Sequence, residues 1–195
     1  MMPATAKNRA DAVRRGQSLV EALVALTILM TGFVGITTLL AKSFKLNRLA
    51  ANETQATYLA AEGIEVTKNI IDYDVYSGIA SGGDGTTGWG SSFPRSGYYL
   101  LDYKSVTTAG TFYSPNVNNP PDSPLYFDPT THLYGLTNTP GDVSTDFTRN
   151  IYVKRINVPG SPTIPILDVQ STVTWNNGVT SNSVTLEDEF YDWHP

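Results

Sequence analysis

One apolar segment constrains this chain more than any other feature of its sequence. It begins at Leu19 and ends at Leu40, and Glu21 is the one charged residue among its 22. As a helix it spans about 33 Å, which matches the hydrocarbon core of a bilayer. A helix that is apolar on every side is rarely found in a soluble protein of 195 residues. The segment therefore predicts a transmembrane helix, with a buried core helix as the alternative.

The charges that flank the segment predict its orientation. Four basic residues and one acid precede it: Lys7, Arg9, Arg14, Arg15 and Asp11. Three further basic residues follow it: Lys42, Lys45 and Arg48. Positive charge collects on the cytoplasmic side of membrane helices, so the stronger flank places the N-terminus in the cytoplasm. A signal peptide fits less well because its apolar region is shorter, about 7 to 15 residues. The arginine pair before Gly16 is only weak evidence for twin-arginine export.

Glu21 is unexpected inside a membrane segment. A charged residue at the centre of a membrane helix costs about 2.5 to 3.5 kcal/mol on insertion scales, and less toward the end. If the chain were cut after Gly16, a new α-amino group at Gln17 would lie one helical turn from the Glu21 carboxylate. Cleavage at that bond would therefore create the missing cation.

Residues 14–26, with the sequence RRGQSLVEALVAL, resemble the class III leader junction of type IV prepilins and type II secretion pseudopilins. The shared pattern is a basic leader that ends in glycine, followed by a helix with glutamate as its fifth residue. The resemblance implies cleavage after Gly16 by a prepilin peptidase and N-methylation of Gln17. It also implies that Glu21 docks against the N-terminal amine of a neighbouring subunit. Gln17 departs from the family, whose first mature residue is usually phenylalanine and often methionine.

The resemblance also implies partners and a location. The partners are the prepilin peptidase, other pilin subunits, the pilus assembly platform and, before assembly, membrane lipid. The chain would cross the cytoplasmic membrane once and then enter a cell-surface or periplasmic filament. The C-terminal sequence from Phe190 to Trp193 further resembles the PilV-like minor pilins. Two alternatives remain: a tethered extracytoplasmic binding module that does not polymerise, and a secreted hydrolase, for which no catalytic residues are found.

Proline and glycine divide the chain into segments. Pro3 is followed by no proline until Pro94, and ten of the 12 prolines lie from Pro94 to Pro165. Uninterrupted helix is therefore expected before the β-rich half. We predict a leader at 1–16, a transmembrane and polymerisation helix at 17–41, and the extracytoplasmic half of the helix at 42–77. A β-rich head with a glycine-rich connector at its start and a C-terminal hairpin then occupies 78–195.

Apolar spacing predicts which face of the helix is buried. We expect the helix to run from Ser18 to about Tyr76 and to pack on the sheet of its own domain after Ala56. The stripe recurs at spacings of three, four or seven: Leu49, Ala56, Ala60, Ile64, Thr67, Ile71 and Val75. Gly32 and Gly35 lower the helix propensity of the segment. They give weak support to local melting of the helix on assembly, and a continuous helix is the alternative.

Strand patterns near the C-terminus predict an antiparallel sheet. Alternating apolar residues at 166–176 and the pair Asn177-Gly178 predict a hairpin with a two-residue turn. Its register pairs residues whose numbers sum to 355, so Ser171 lies opposite Val184. Strands at 147–158 and 98–104 complete a predicted sheet of three or four strands. Short extended pieces are expected at 125–127 and 133–134. The fold class is α+β, a long helix packed on a small antiparallel sheet, as in pilins.

Composition and motifs argue against an enzyme and against a cofactor. The charged fraction is 16% and the net charge is -5, a poor match to phosphate binding, so nucleic acid is not a predicted partner. The chain has no cysteine, and His132 and His194 lack metal-ligand spacing. The glycine pattern at 83–88 follows no strand and opens no helix, so it predicts a flexible connector. The acids at 187–189 and Asp192 predict a solvated edge in preference to a calcium site.

Overall fold

The computed structural model describes residues 4–83, 88–103, 113–114, 123–158, 161–176 and 180–192. The chain divides into two compact units, Met1–Ala50 and Ala51–Pro195. The single described helix, α1, runs Ala4–Ala80 and is continuous through Gly32 and Gly35. It therefore begins earlier and ends slightly later than predicted, and local melting on assembly stays a prediction. Gly82, just beyond its end, has a φ of 85°, a conformation that favours glycine after a helix.

The second unit contains the strands. Within the described residues there are seven: β1 Gly97–Tyr99, β2 Tyr113–Ser114, β3 Pro124–Asp128, β4 Leu133–Gly135, β5 Val143–Val158, β6 Ser161–Asn176 and β7 Ser181–Phe190. All of their pairings are antiparallel and form one sheet. The predicted α+β class is confirmed, whereas the prediction of three or four strands is wrong, because β2, β3 and β4 extend the sheet. The predicted strand at 98–104 is shorter, and residues 104–112 lie outside the described part.

Strand β5 organises the sheet. Strand β6 pairs with it along almost its whole length on one side, and β7 pairs with the far side of β6. On the other side of β5, β3 pairs near its start and β1 pairs further along. Strand β4 continues the sheet beyond β3, and β2 continues it beyond β1. The two short predicted pieces at 125–127 and 133–134 are thus parts of β3 and β4.

The C-terminal hairpin has a different register from the predicted one. Its paired residues have numbers that sum to 357, so that Val173 lies opposite Val184 and Leu167 opposite Phe190. Four residues, 177–180, connect the strands, and the predicted two-residue turn is wrong; residues 177–179 themselves lie outside the described part. A slip of two residues keeps the same face inward because side chains alternate with a period of two. At these two pairs the observed register places apolar residues opposite each other.

The helix packs on the sheet through the predicted face. The stripe members Ala56, Ala60, Thr67, Ile71 and Val75 are buried, and Ile64 packs against the core. The same face also buries residues outside the predicted stripe: Leu59, Val66 and Ile70. Together with apolar side chains from the helix-facing side of the sheet, these helix residues form two buried clusters. Burial of this face fixes residues 51–80 to the strands within the second unit.

Gly63 marks the closest approach of the helix to the sheet. A Cβ atom at this position would collide with Ser171 Oγ and would lie 3.3 Å from both Arg149 Cδ and Ile151 Cδ1. The Ser171 Oγ is buried and has no hydrogen-bond partner among the described residues. Glycine is therefore required at residue 63 because no space is left for a Cβ atom. Its backbone conformation is not the reason, since its φ is an ordinary helical one.

We expect Gly63→Ala to destabilise the full chain by about 1 to 2 kcal/mol, although alanine gains about 1 kcal/mol of helix propensity. In a Ser171→Ala background the same change should cost less than half as much, because the colliding oxygen is gone. Urea denaturation in detergent, followed by the near-ultraviolet circular dichroism of the tryptophans, measures both values. Equal costs in the two backgrounds would contradict the close approach.

The glycine-rich connector is only partly as predicted. Its second half is packed in the core through Trp89 and Phe93, while residues 84–87 lie outside the described part. The Trp89 indole N–H donates to Pro165 O at 2.9 Å, and Arg155 Nη1 donates to the carbonyl oxygens of Gly90 and Phe93 at 2.9 and 2.6 Å. These contacts, which link the connector to β5 and β6, are not visible in local sequence patterns.

Asp74 joins the helix to the same connector. Its carboxylate accepts hydrogen bonds from Ser92 N at 2.8 Å and from Ser92 Oγ at 2.7 Å. Burial raises the pKa of this carboxyl, and the Ser92 hydrogen bonds partly oppose the rise. The buried Asp74 thus fixes the connector to the last turns of α1.

Arg149 is a buried charge in the same core. It is 2% exposed, and its guanidinium donates from Nη1 to Leu59 O and from Nη2 to Leu101 O, both at 3.1 Å. Its Nη1 also lies 3.4 Å from Glu62 Oε2, on a side chain that is 32% exposed. One side chain on β5 therefore links the helix, the sheet and the segment after β1.

Candidate membrane and assembly segment

The apolar segment of the first unit is exposed throughout. Each of its large apolar side chains is between 51% and 70% exposed: Leu19, Val20, Leu23, Val24, Leu26, Ile28, Leu29, Met30, Phe33, Val34, Ile36, Leu39 and Leu40. None of the segment is buried within the chain, and it is long and apolar enough to cross a membrane. Burying these side chains is worth on the order of 15 kcal/mol, as much as the whole stability of a typical domain. A segment of this kind favours an apolar environment over water.

The threonines of the segment suit such an environment. Thr27 Oγ1 donates to Val24 O at 2.8 Å, and Thr38 Oγ1 donates to Val34 O at 2.8 Å. Thr31 and Thr37 likewise donate to carbonyl oxygens three and four residues earlier, at 2.9 to 3.1 Å. A buried hydroxyl without a partner is costly, and these are satisfied by the helix itself. These threonines, which lower helix propensity in water, are thus compatible with hydrocarbon.

Glu21 is the one charged residue in the segment. It is exposed, and no described side chain forms a hydrogen bond or an ion pair with its carboxylate. Gly16 and Gln17 lie in the continuous helix, although the side chain of Gln17 is outside the described part. Gln17 is four residues before Glu21 on this helix, so the two positions share a face and are about 6 Å apart along the axis. A charge that formed at Gln17 would therefore lie on the side of the helix that carries the carboxylate.

The other sequence candidates belong to the second unit. His132 is exposed in the turn between β3 and β4 with a φ of 60°, and His194 lies outside the described residues. Glu187, Asp188 and Glu189 are exposed on β7, as predicted for a solvated edge. Within the described ranges, no group of three potential ligands is arranged to hold a metal ion.

A carboxylate near this edge is buried, although the sequence pattern does not reveal it. Asp168 is 6% exposed, and its Oδ2 lies 3.8 Å from Lys154 Nζ. Burial and, to a smaller extent, the neighbouring Glu187 raise the pKa of the Asp168 carboxyl. The alternation of β6 predicts that Asp168 faces solvent. Only the pairing of β6 with its neighbouring strands shows that the carboxylate is covered.

Comparisons with protein-family models, curated proteins and solved structures find no match to this chain. Function is therefore inferred from the exposed apolar segment, from the position of Glu21 and from the residues before it.

Proposed function

We propose that this chain is a structural subunit, a minor pilin or pseudopilin, of a type IV pilus or a related secretion or DNA-uptake filament. A prepilin peptidase cleaves it after Gly16, and Gln17 becomes the methylated N-terminus. The helix at 17–41 holds the chain in the cytoplasmic membrane and then polymerises with the same helix of other subunits. The β-rich head is extracytoplasmic.

The observation that carries this proposal is the Glu21 carboxylate: no described side chain pairs with it, and it is the one charge in the exposed segment 19–40. An anchor that only spans lipid has no use for a charge within the hydrocarbon and is destabilised by it. A polymerising helix has a use, because the N-terminal amine of the next subunit neutralises Glu21 when the two helices pack side by side. Charge pairing in a low dielectric then fixes the axial position of one subunit against the other.

The apolar side chains support the same proposal. Since they occupy every side of the helix, they suit lipid before assembly and a bundle of identical or related helices afterwards. Gly32 and Gly35 have no neighbouring atom within 4 Å of a Cβ built on them, so the surface there is open to another helix. Small residues allow helices to approach closely.

The head supports exposure to an aqueous compartment. The sheet face away from α1 carries polar cross-strand pairs, among them Thr172 with Thr185 at 2.9 Å and Gln170 with Glu187 at 3.3 Å. A face of this composition is stable in water and needs no further covering layer.

Shearing tests the proposal directly. When the chain is expressed with its native filament machinery, we expect it in the sheared filament fraction, and in the membrane fraction alone when the assembly ATPase is deleted. A chain that stays in the membrane in both strains would contradict polymerisation and would favour the tethered binding module. A chain found in the soluble cytoplasmic fraction of both strains would contradict membrane placement as well.

A further inference from the structure

Three cations follow the apolar segment on one face of the helix. Lys42, Lys45 and Arg48 are exposed, and steps of three residues keep them within an arc of about 120°. The described ion pairs are Arg149 with Glu62 and Lys154 with Asp168, so none of the three cations is paired within the described part. The sequence has no acid between Glu21 and Glu53. The face is therefore uniformly positive.

The axial positions of these cations match a lipid headgroup layer. If Leu40 lies at the edge of the hydrocarbon core, Lys42 is about 3 Å beyond it, Lys45 about 7 Å and Arg48 about 12 Å. The headgroup layer extends roughly 5 to 7 Å beyond the core. Helical side chains tilt toward the N-terminus, which here is the direction of the bilayer, and long basic side chains reach back further. All three charged groups can therefore meet the same layer.

Apolar side chains border the cationic face on both sides. Phe44 and Leu46 are each 61% exposed, and the helical period places one on either side of the three cations. A positive face with apolar borders is typical of helices at the boundary between headgroups and acyl chains.

We propose that Lys42, Lys45 and Arg48 form a face that binds the phosphates of anionic lipids in the outer leaflet and so sets the depth of the helix before assembly. The proposal rests on the membrane placement of the proposed function. Residues 17–41 contain no basic side chain, so after cleavage at Gly16 these three are the cations that remain next to the segment. Their removal would leave the depth of the helix without an electrostatic anchor.

Site-specific crosslinking to lipid tests the proposal. The chain has no cysteine, so Ala41→Cys, at an exposed position whose helical angle lies between those of Lys45 and Arg48, gives a single attachment point for a benzophenone on the cationic face. The full chain is reconstituted in phosphatidylcholine vesicles that contain phosphatidylglycerol, and the lipid adducts are identified by mass spectrometry. We expect phosphatidylglycerol adducts to be enriched over the bulk composition, of the order of fivefold for each cation that reaches the layer at low salt.

The triple variant Lys42→Gln/Lys45→Gln/Arg48→Gln should give adducts in bulk proportion. The double variant Lys68→Gln/Arg95→Gln, which removes exposed charge from the second unit, should keep the enrichment. Unchanged enrichment in the triple variant would overturn the proposal, and so would crosslinks from residue 41 to protein in place of lipid. A second label at Ile28→Cys separates the two proposals: acyl-chain adducts there, without enrichment at residue 41, leave the membrane placement intact and exclude only the phosphate face.

Discussion

Glu21→Ala is expected to leave cleavage after Gly16 intact and to reduce incorporation into filaments at least tenfold. A charge-assisted hydrogen bond contributes about 1.5 to 3 kcal/mol, and each 1.4 kcal/mol is a factor of about ten in an equilibrium. The variant removes this contribution at every subunit contact. Quantitative immunoblotting of the sheared fraction against the membrane fraction measures the loss.

The amount of this variant in the membrane should move in the opposite direction or not at all. Removing a carboxylate from the hydrocarbon lowers the cost of insertion, so the unassembled pool should be as large as that of the wild type, or larger. Glu53→Ala is the matched control, because Glu53 is an exposed acid on the same helix beyond the apolar segment, and it should assemble normally. Normal incorporation of the Glu21 variant would refute the docking role.

Arg149→Ala is expected to destabilise the head by about 3 kcal/mol or more. The change removes both donors to Leu59 O and Leu101 O and leaves a cavity between the helix and the sheet. The ion pair with Glu62 adds little to this, because the Glu62 side chain is 32% exposed and water can solvate it. Urea denaturation of the full chain in detergent, followed by near-ultraviolet circular dichroism, gives the value.

Two further variants identify the origin of the loss. Glu62→Gln should cost under about 1 kcal/mol, as expected for a partly exposed ion pair. Arg149→Met keeps most of the packing without a buried charge and should cost clearly less than Arg149→Ala. A Glu62→Gln loss as large as that of Arg149→Ala would mean that the ion pair, and not the two carbonyl contacts and packing, fixes the helix to the sheet.

Periodicity predicted the parts of the fold that depend on a repeated local pattern. The stripe from Ala56 to Val75 is buried as expected because helical spacing determines which side chains share a face. The inward face of β6 is also as expected, since alternation on a strand has a fixed period. The hairpin register depended instead on loop length, and the signal at residues 177 and 178 favoured a turn two residues too short.

Other features depend on contacts between distant parts of the chain. Trp89 and Phe93 lie in a glycine-rich region whose composition predicts a loop, and only their contacts with β5 and β6 show that they are core residues. Arg149 lies on the buried face of β5, where alternation predicts an apolar residue. Its burial is possible because Leu59 and Leu101 supply acceptors from sites 90 and 48 residues away in sequence. Local patterns carry no information about such partners.

The apolar segment at 19–40, in contrast, depends on no contact between distant parts of the chain. Its length, its apolar residues and Glu21 are all read from the sequence, and the structure adds that nothing described in the chain covers the segment or pairs the carboxylate. The proposed partners lie outside the chain, so the segment can be tested only where they are present. The proposed function depends first on cleavage of a single peptide bond, between Gly16 and Gln17.

Mass spectrometry of the N-terminus tests this bond most directly. The chain is purified from a host with an active prepilin peptidase and from the same host with the peptidase deleted. The account predicts a chain that begins at Gln17, methylated or not, in the first strain and one that retains residues 1–16 in the second. A chain that retains residues 1–16 in both strains would contradict the account.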